Sequence, residues 1–168
     1  MKQTNDQAGP RRAILATLVY VRDCYKTLML HRVKKEQDYH AGKWNGLGGK
    51  FEPGESPEAC AIREVAEESG LRIEAPSLRG HILFPLFDGH NDWYVFLFKA
   101  TQWSGTLLTD PPEGHLAWLT PAEIAEVPLW EGDRIFLPWL DEPGIFSAVF
   151  YYEQKRFRHY TVAWHHGQ

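Results

Sequence analysis

The chain has 168 residues, 43% hydrophobic and 24% charged, with a formal net charge of −4; this is ordinary globular composition, long enough for one domain with a sizeable core. There is no run of Lys and Arg to serve as a footprint for a nucleic-acid polymer, and no apolar stretch approaches membrane-spanning length. Two cysteines, Cys24 and Cys60, stand outside any CxxC or Cys/His cluster, which argues against zinc and against a disulfide framework. No signal peptide opens the chain, so a reducing cytoplasm is the expected setting. Aromatics reach 14%, with seven Trp, enough to fill a core and also wall a pocket for a flat ligand.

Met1 to Pro10 is polar and without periodicity. It reads as a disordered tail, leaving 11–168 as a single domain. Ala13 to Val21 is rich in β-formers, Arg22-Asp23 reads as a turn, and Thr27 to Val33 resumes the strand pattern. Lys34 to Lys43 is polar and expected to be a loop, and Trp44 to Lys50 is short and glycine-rich.

Pro57 to Ser69 is predicted to be a helix. Ser56 suits its N-cap, Pro57 the first helical position, Glu58 the positive helix end and Gly70 the C′ position. Glu64, Glu67 and Glu68 then stand at i, i+3 and i+4 on one face. Like charges at that spacing destabilise a helix unless a cation faces them, and hard divalent ions prefer carboxylate oxygens. Ala59, Ile62, Val65 and Ala66 are expected on the opposite face, packed on a sheet. Arg63 is an i, i+4 partner of Glu67.

Further strands are expected at Gly80 to Leu86, Trp93 to Ala100 and His115 to Leu119. Pro121 to Val127 reads as a short helix capped by Thr120, and Glu131 to Leu140 as another. Ile145 to Tyr152 and Arg158 to Trp164 form a final hairpin. Strands interspersed irregularly with helices predict a mixed sheet with helices packed on it.

The spacing of Gly49, Glu55 and Arg63-Glu64-Val65-Ala66-Glu67-Glu68-Ser69-Gly70-Leu71 resembles the Nudix box, G-x5-E-x7-R-E-U-x-E-E-x-G-U with U apolar, at every defined position. From average residue usage, a chance match is on the order of 10⁻⁷. The likeness extends to Gly42–Lys50, the Trp118 region, Leu129–Asp133 and Phe136–Pro138, in the manner of MutT-type enzymes that cleave oxidised purine nucleotides. It implies an α/β fold: a Nudix-type α/β/α sandwich around a central mixed β-sheet. It also implies hydrolysis of a nucleoside triphosphate such as 8-oxo-dGTP to the monophosphate and pyrophosphate, with Mg²⁺ or Mn²⁺ as cofactor. The partner is a small nucleotide, and a monomer or homodimer is expected.

By the same resemblance Glu64, Glu67, Glu68, the carbonyl of Gly48 and Glu113 hold metal, with Arg63 orienting the glutamates. The general base stays open among Glu64, Glu67 and Glu113. Glu55 is expected to brace the loop–helix unit. Asn45, Phe84, Trp130 and Asp133 match base-contacting positions, although Gly132 stands where the mammalian-type enzymes have a second acid beside Asp133. Each also has a plain structural reading. Glu113 follows Pro111-Pro112 as a loop acid, Asn45 sits at a turn beside Gly46, Trp130 and Phe84 suit a core, and Asp133 suits a helix start. The same box also serves enzymes acting on ordinary NTPs, nucleotide sugars or dinucleoside polyphosphates, and nucleotide-binding regulators without turnover.

Overall fold

A computed structural model describes residues 11–34 and 39–167; the tail expected at 1–10 lies outside the described residues. The chain opens with an antiparallel hairpin of β1 (Ala13–Asp23) and β2 (Lys26–Arg32), in which Arg22 pairs with Thr27. The turn falls on Cys24, at φ 52°, and Tyr25, later than the expected Arg22-Asp23. Ladder pairing to Thr27 and the Trp103 indole donating to the Arg22 carbonyl keep Arg22 in the strand.

After the two-residue β3 (Trp44–Asn45), the glycine run lies antiparallel along β1. Val19 and Leu47 exchange backbone hydrogen bonds of 2.6 and 3.0 Å, and Thr17 N donates to the Gly49 carbonyl at 2.9 Å. Close approach demands glycine at Gly48, where φ is 145° and a Cβ would come 2.2 Å from the Thr17 carbonyl oxygen. Helix α1 (Pro57–Ser69) starts from this pinned loop, with Ser56 Oγ accepting from Ala59 N and Gly70 closing it in the left-handed region at φ 81°.

β5 (Ser77–Phe84), β6 (Asp92–Ala100), β8 (Gly114–Leu119), β9 (Ile145–Glu153) and β10 (Arg156–His165) complete the main sheet, ordered β10-β9-β5-β6-β1-β2-β3 with β8 also on β2. β1/β6 and β5/β9 are parallel, and the other pairs are antiparallel. β4 (Leu71–Glu74) and β7 (Gln102–Gly105) form a separate pair that the sequence reading lacked; each has only four residues, too few for a period to register. α2 (Pro121–Glu126) carries a full capping box from Thr120 and Glu123. The helix expected over Glu131–Leu140 divides into α3 (Glu131–Phe136) and a 3-10 turn (Leu137–Asp141), because Pro138 cannot continue the α ladder.

Strand alternation separates two cores. Val19, Val21, Leu28, Leu30 and Phe98 pack with Ala61 and Val65 of α1. Tyr20, Met29, Leu97 and Phe150 face the other way, onto Phe136 of α3 and Leu140 of the 3-10 turn. The sheet is therefore sandwiched between helices, as expected, and no helix among the described residues is long and apolar enough to cross a membrane.

Candidate active site

The buried side of α1 differs from the one expected. Cys60, Ala61, Val65, Glu68 and Ser69 are buried, whereas Ala59 and Ile62 face solvent. The inward arc runs through Cys60, Glu64 and Glu68, one turn apart, with Ala61 and Val65 beside it. The carboxylate row thus lies between helix and sheet, at the glycine loop, and Ile62 is left 40% exposed on the outer side. Polar partners make this possible. Gly48 N donates to Glu68 Oε2 at 2.8 Å, and Arg32 Nη2 to Glu68 Oε1 at 3.4 Å. Burial still pushes the Glu68 carboxyl up to about 8, against those two favourable contacts. Glu64 is also raised by burial, with Arg63 opposing.

The cation facing the row is an arginine pair. Arg63 forks onto Glu55, reaches Glu64 Oε1 at 2.7 Å and Glu67 Oε2 at 3.2 Å, and donates to the Lys50 carbonyl at 3.1 Å. Glu55 in turn accepts from Glu52 N, and the Arg63 hydrogen bonds hold its carboxyl down at about 2. Arg32 spans the other side, with Nη1 2.6 Å from Glu113 Oε2 while Nη2 reaches Glu68. Glu113 is thereby brought to the row from a loop distant in sequence, with its side chain only 17% exposed.

Glu64, Glu68, Glu113, Gly48 and Arg63 line one cleft of about 1090 Å³ together with Asn45, Phe84, Trp130 and Asp133. All the catalytic, metal-binding and base-contacting candidates from the sequence therefore line one cleft except Glu67, whose side chain is 59% exposed and lies outside the lining. Asn45 and Asp133 are 7% and 6% exposed, and Asn45 Nδ2 and Asp133 Oδ2 have no hydrogen-bond partner. Burial pushes the Asp133 carboxyl up to about 8, with Lys43 and Arg134 opposing. Trp130 donates from Nε1 to His40 Nδ1 at 2.8 Å and stacks on Tyr39, with ring centres 5.7 Å apart.

Sequence reasoning missed Arg32, Tyr39, Phe87 and Tyr152, all of which line this cleft. Arg32 ends a strand and looks like any surface basic residue. Tyr152 is one of two adjacent tyrosines, and only strand phase, which the sequence leaves ambiguous, decides which one turns inward.

Among the described residues no three acidic, His or Cys side chains already converge as a metal cage, because the two guanidinia stand between them. The donor chemistry nonetheless fits a hard divalent ion: Glu64, Glu68 and Glu113 are oxygen donors in one cleft, and two of them sit where burial leaves their negative charge undercompensated.

The NUDIX domain model matches residues 10–140. The chain is 33% identical over 141 residues to the oxidized purine nucleoside triphosphate hydrolase of Mus musculus, covering 84% of this chain and 88% of that one. It is 32% identical over 131 residues to the uncharacterized Nudix hydrolase YvcI of Bacillus subtilis (strain 168), covering 76% and 79%. Among solved structures it resembles the mutator MutT protein from Bacillus halodurans, with a TM-score of 0.77 at 31% identity over 89% of this chain and 97% of that one. The family match reaches well beyond the box-bearing helix, and the chain belongs to the Nudix family of hydrolases.

Proposed function

We propose that the chain hydrolyses 8-oxo-dGTP or a related oxidised purine nucleoside triphosphate to the monophosphate and pyrophosphate, clearing damaged nucleotides from the pool. One observation carries this reading. Asn45 Nδ2 and Asp133 Oδ2 are buried, unpartnered polar atoms of residues that line the same cleft as Glu64 and Glu68 of α1. Buried polar atoms cost free energy unless a ligand satisfies them. With Trp130 and Phe84 as apolar walls, the atoms suit the polar edge of a flat base. The relative from Mus musculus bears an oxidised-purine name, which favours the same reading.

Nudix hydrolases generally use divalent metal ions; here we assign Mg²⁺ or Mn²⁺ to Glu64, Glu68 and Glu113 with the Gly48 carbonyl, and Glu67 at the rim. When bound, the ion neutralises phosphate charge and lowers the pKa of a water. Glu64 and Glu113 lie in the cleft, where either can take a proton from an attacking water. Arg63 holds Glu64 in place, and the glycine run lets the backbone approach phosphate oxygens closely.

The test is a substrate screen with and without metal, covering 8-oxo-dGTP, dGTP, nucleotide sugars and dinucleoside polyphosphates, with product identification. The expected result is metal-dependent release of 8-oxo-dGMP and pyrophosphate, at a higher kcat/KM than for dGTP. Equal cleavage of the two triphosphates rejects the sanitising role. Glu68→Gln should lose most turnover while still binding nucleotide; a wild type that binds but turns over no diphosphate compound is a regulator.

A further inference from the structure

Gly132 precedes Asp133 at the start of α3, and the structure gives it a specific neighbour. Its N–H donates to Tyr152 Oη at 2.8 Å, and a Cβ on it would meet that oxygen at 2.6 Å. Glycine at 132 therefore makes the space that the Tyr152 hydroxyl fills. The Tyr152 ring is fixed by Phe87 and Trp130, both edge-on at 5.1 and 5.8 Å, and by Phe157 at 5.5 Å. A phenol has one proton to donate. Its oxygen has accepted from Gly132, and among the described residues no protein acceptor takes that proton. Tyr152 lines the cleft together with Asn45 and Asp133.

We propose that Tyr152 is a specificity-determining residue: its hydroxyl, anchored by the Gly132 N–H, donates a hydrogen bond to a carbonyl oxygen of the bound purine and selects 6-oxopurine over 6-aminopurine nucleotides. This rests on the purine reading given above. The buried Nδ2 of Asn45, which lines the same cleft, adds a second donor. A base presenting carbonyl oxygens satisfies such donors. A base presenting an exocyclic amine sets N–H against O–H and leaves buried donors unpaired, which is how a polar site rejects a near-isostere.

The test measures equilibrium binding of two monophosphates, 8-oxo-dIMP and 8-oxo-dAMP, by calorimetry, to the wild type and to Tyr152→Phe. These probes differ at the 6-substituent and the adjoining ring nitrogen, and binding does not depend on turnover. The wild type is expected to favour the oxo base about ten-fold or more, and Tyr152→Phe to lose about ten-fold of that ratio, the size of one buried hydrogen bond. With the corresponding triphosphates the loss should fall on KM and leave kcat nearly unchanged. Loosening of α3 weakens both bases alike, so the ratio isolates the hydroxyl. An unchanged ratio in Tyr152→Phe, or a wild type that binds neither or both equally, overturns the inference. Hydrolysis of 8-oxo-dGTP with an unchanged ratio leaves the proposed function standing without it; selective binding with no hydrolysis does the reverse.

Discussion

Arg63 grips Glu55 with two parallel hydrogen bonds, Nε to Oε1 at 2.8 Å and Nη2 to Oε2 at 2.9 Å. This fork ties the middle of α1 to the loop that precedes it, and Arg63 Nη1 carries the tie on to Glu64. Lysine cannot reproduce a planar fork. Arg63→Lys should therefore lower Tm by about 3–6 °C and kcat by about ten-fold or more, because Glu64 loses its fixed orientation. The Glu55 carboxyl is held at about 2 in the fold and is ordinary when unfolded. Its contribution is present above about pH 4.5 and is lost as pH falls toward 2. Thermal melts of Glu55→Gln should accordingly show a weaker loss of stability between pH 5 and 2.5 than the wild type; identical acid limbs contradict this role.

Arg32 stands between Glu68 and Glu113 and gives two inward carboxylates a common counter-charge. A divalent ion held as proposed would compete with it for the same oxygens. Arg32→Gln should melt about 3–6 °C lower without metal, since Glu68 and Glu113 lose the guanidinium that both contact. Its gain in Tm on adding Mn²⁺ should exceed that of the wild type, because the ion no longer displaces a guanidinium. A smaller Mn²⁺ increment in the variant rules out the competition.

Neighbouring glycines in the loop should fail differently. A Cβ at Gly48 would meet the Thr17 backbone at 2.2 Å, and neither chain segment can give way. Gly48→Ala is expected to cost on the order of 3 kcal/mol or more, measured by denaturant unfolding. At Gly49 the obstruction is the Glu64 carboxylate, 2.5 Å away, which is the end of a flexible side chain. Gly49→Ala should fold nearly normally and lose activity by about a hundred-fold through displacement of Glu64. Equal losses of stability in the two variants contradict this distinction.

The helix, its caps and the α/β sandwich were legible because they rest on local rules: Ser56, Pro57 and Gly70 are each satisfied by neighbours in the chain. The face that α1 buries was not legible. Hydrophobicity alone turned Ile62 and Ala59 inward, whereas hydrogen bonds from Gly48 N and Arg32, remote in sequence, let Glu68 go in instead. The same holds for the cleft. Asn45 and Asp133 were named from the motif context, but that their polar atoms are buried and unpaired depends on β3, α3 and β9 meeting in space. Tyr152 could not be told from Tyr151 until the register of β9 on β5 was fixed.

Asp133 offers a pH test of the proposed base pocket. Burial raises its folded pKa from an ordinary 3.8 to about 8, and no hydrogen-bond donor reaches Oδ2. Between these values the folded chain holds a proton that the unfolded chain has released. The stability contribution is therefore fully present below about pH 4 and is lost as pH rises toward 8. Asparagine is close in shape and does not titrate. Asp133→Asn should melt within a few degrees of the wild type at pH 5, and gain on it by several degrees at pH 8 to 8.5, where the wild type must bury a charge. A purine ligand that donates to Asp133 should narrow that gap at pH 8 by favouring the ionised form. Melting curves at the two pH values, with and without 8-oxo-dGMP, measure both effects. A gap between variant and wild type that does not grow with pH places Asp133 in a solvated position and removes it from the base pocket.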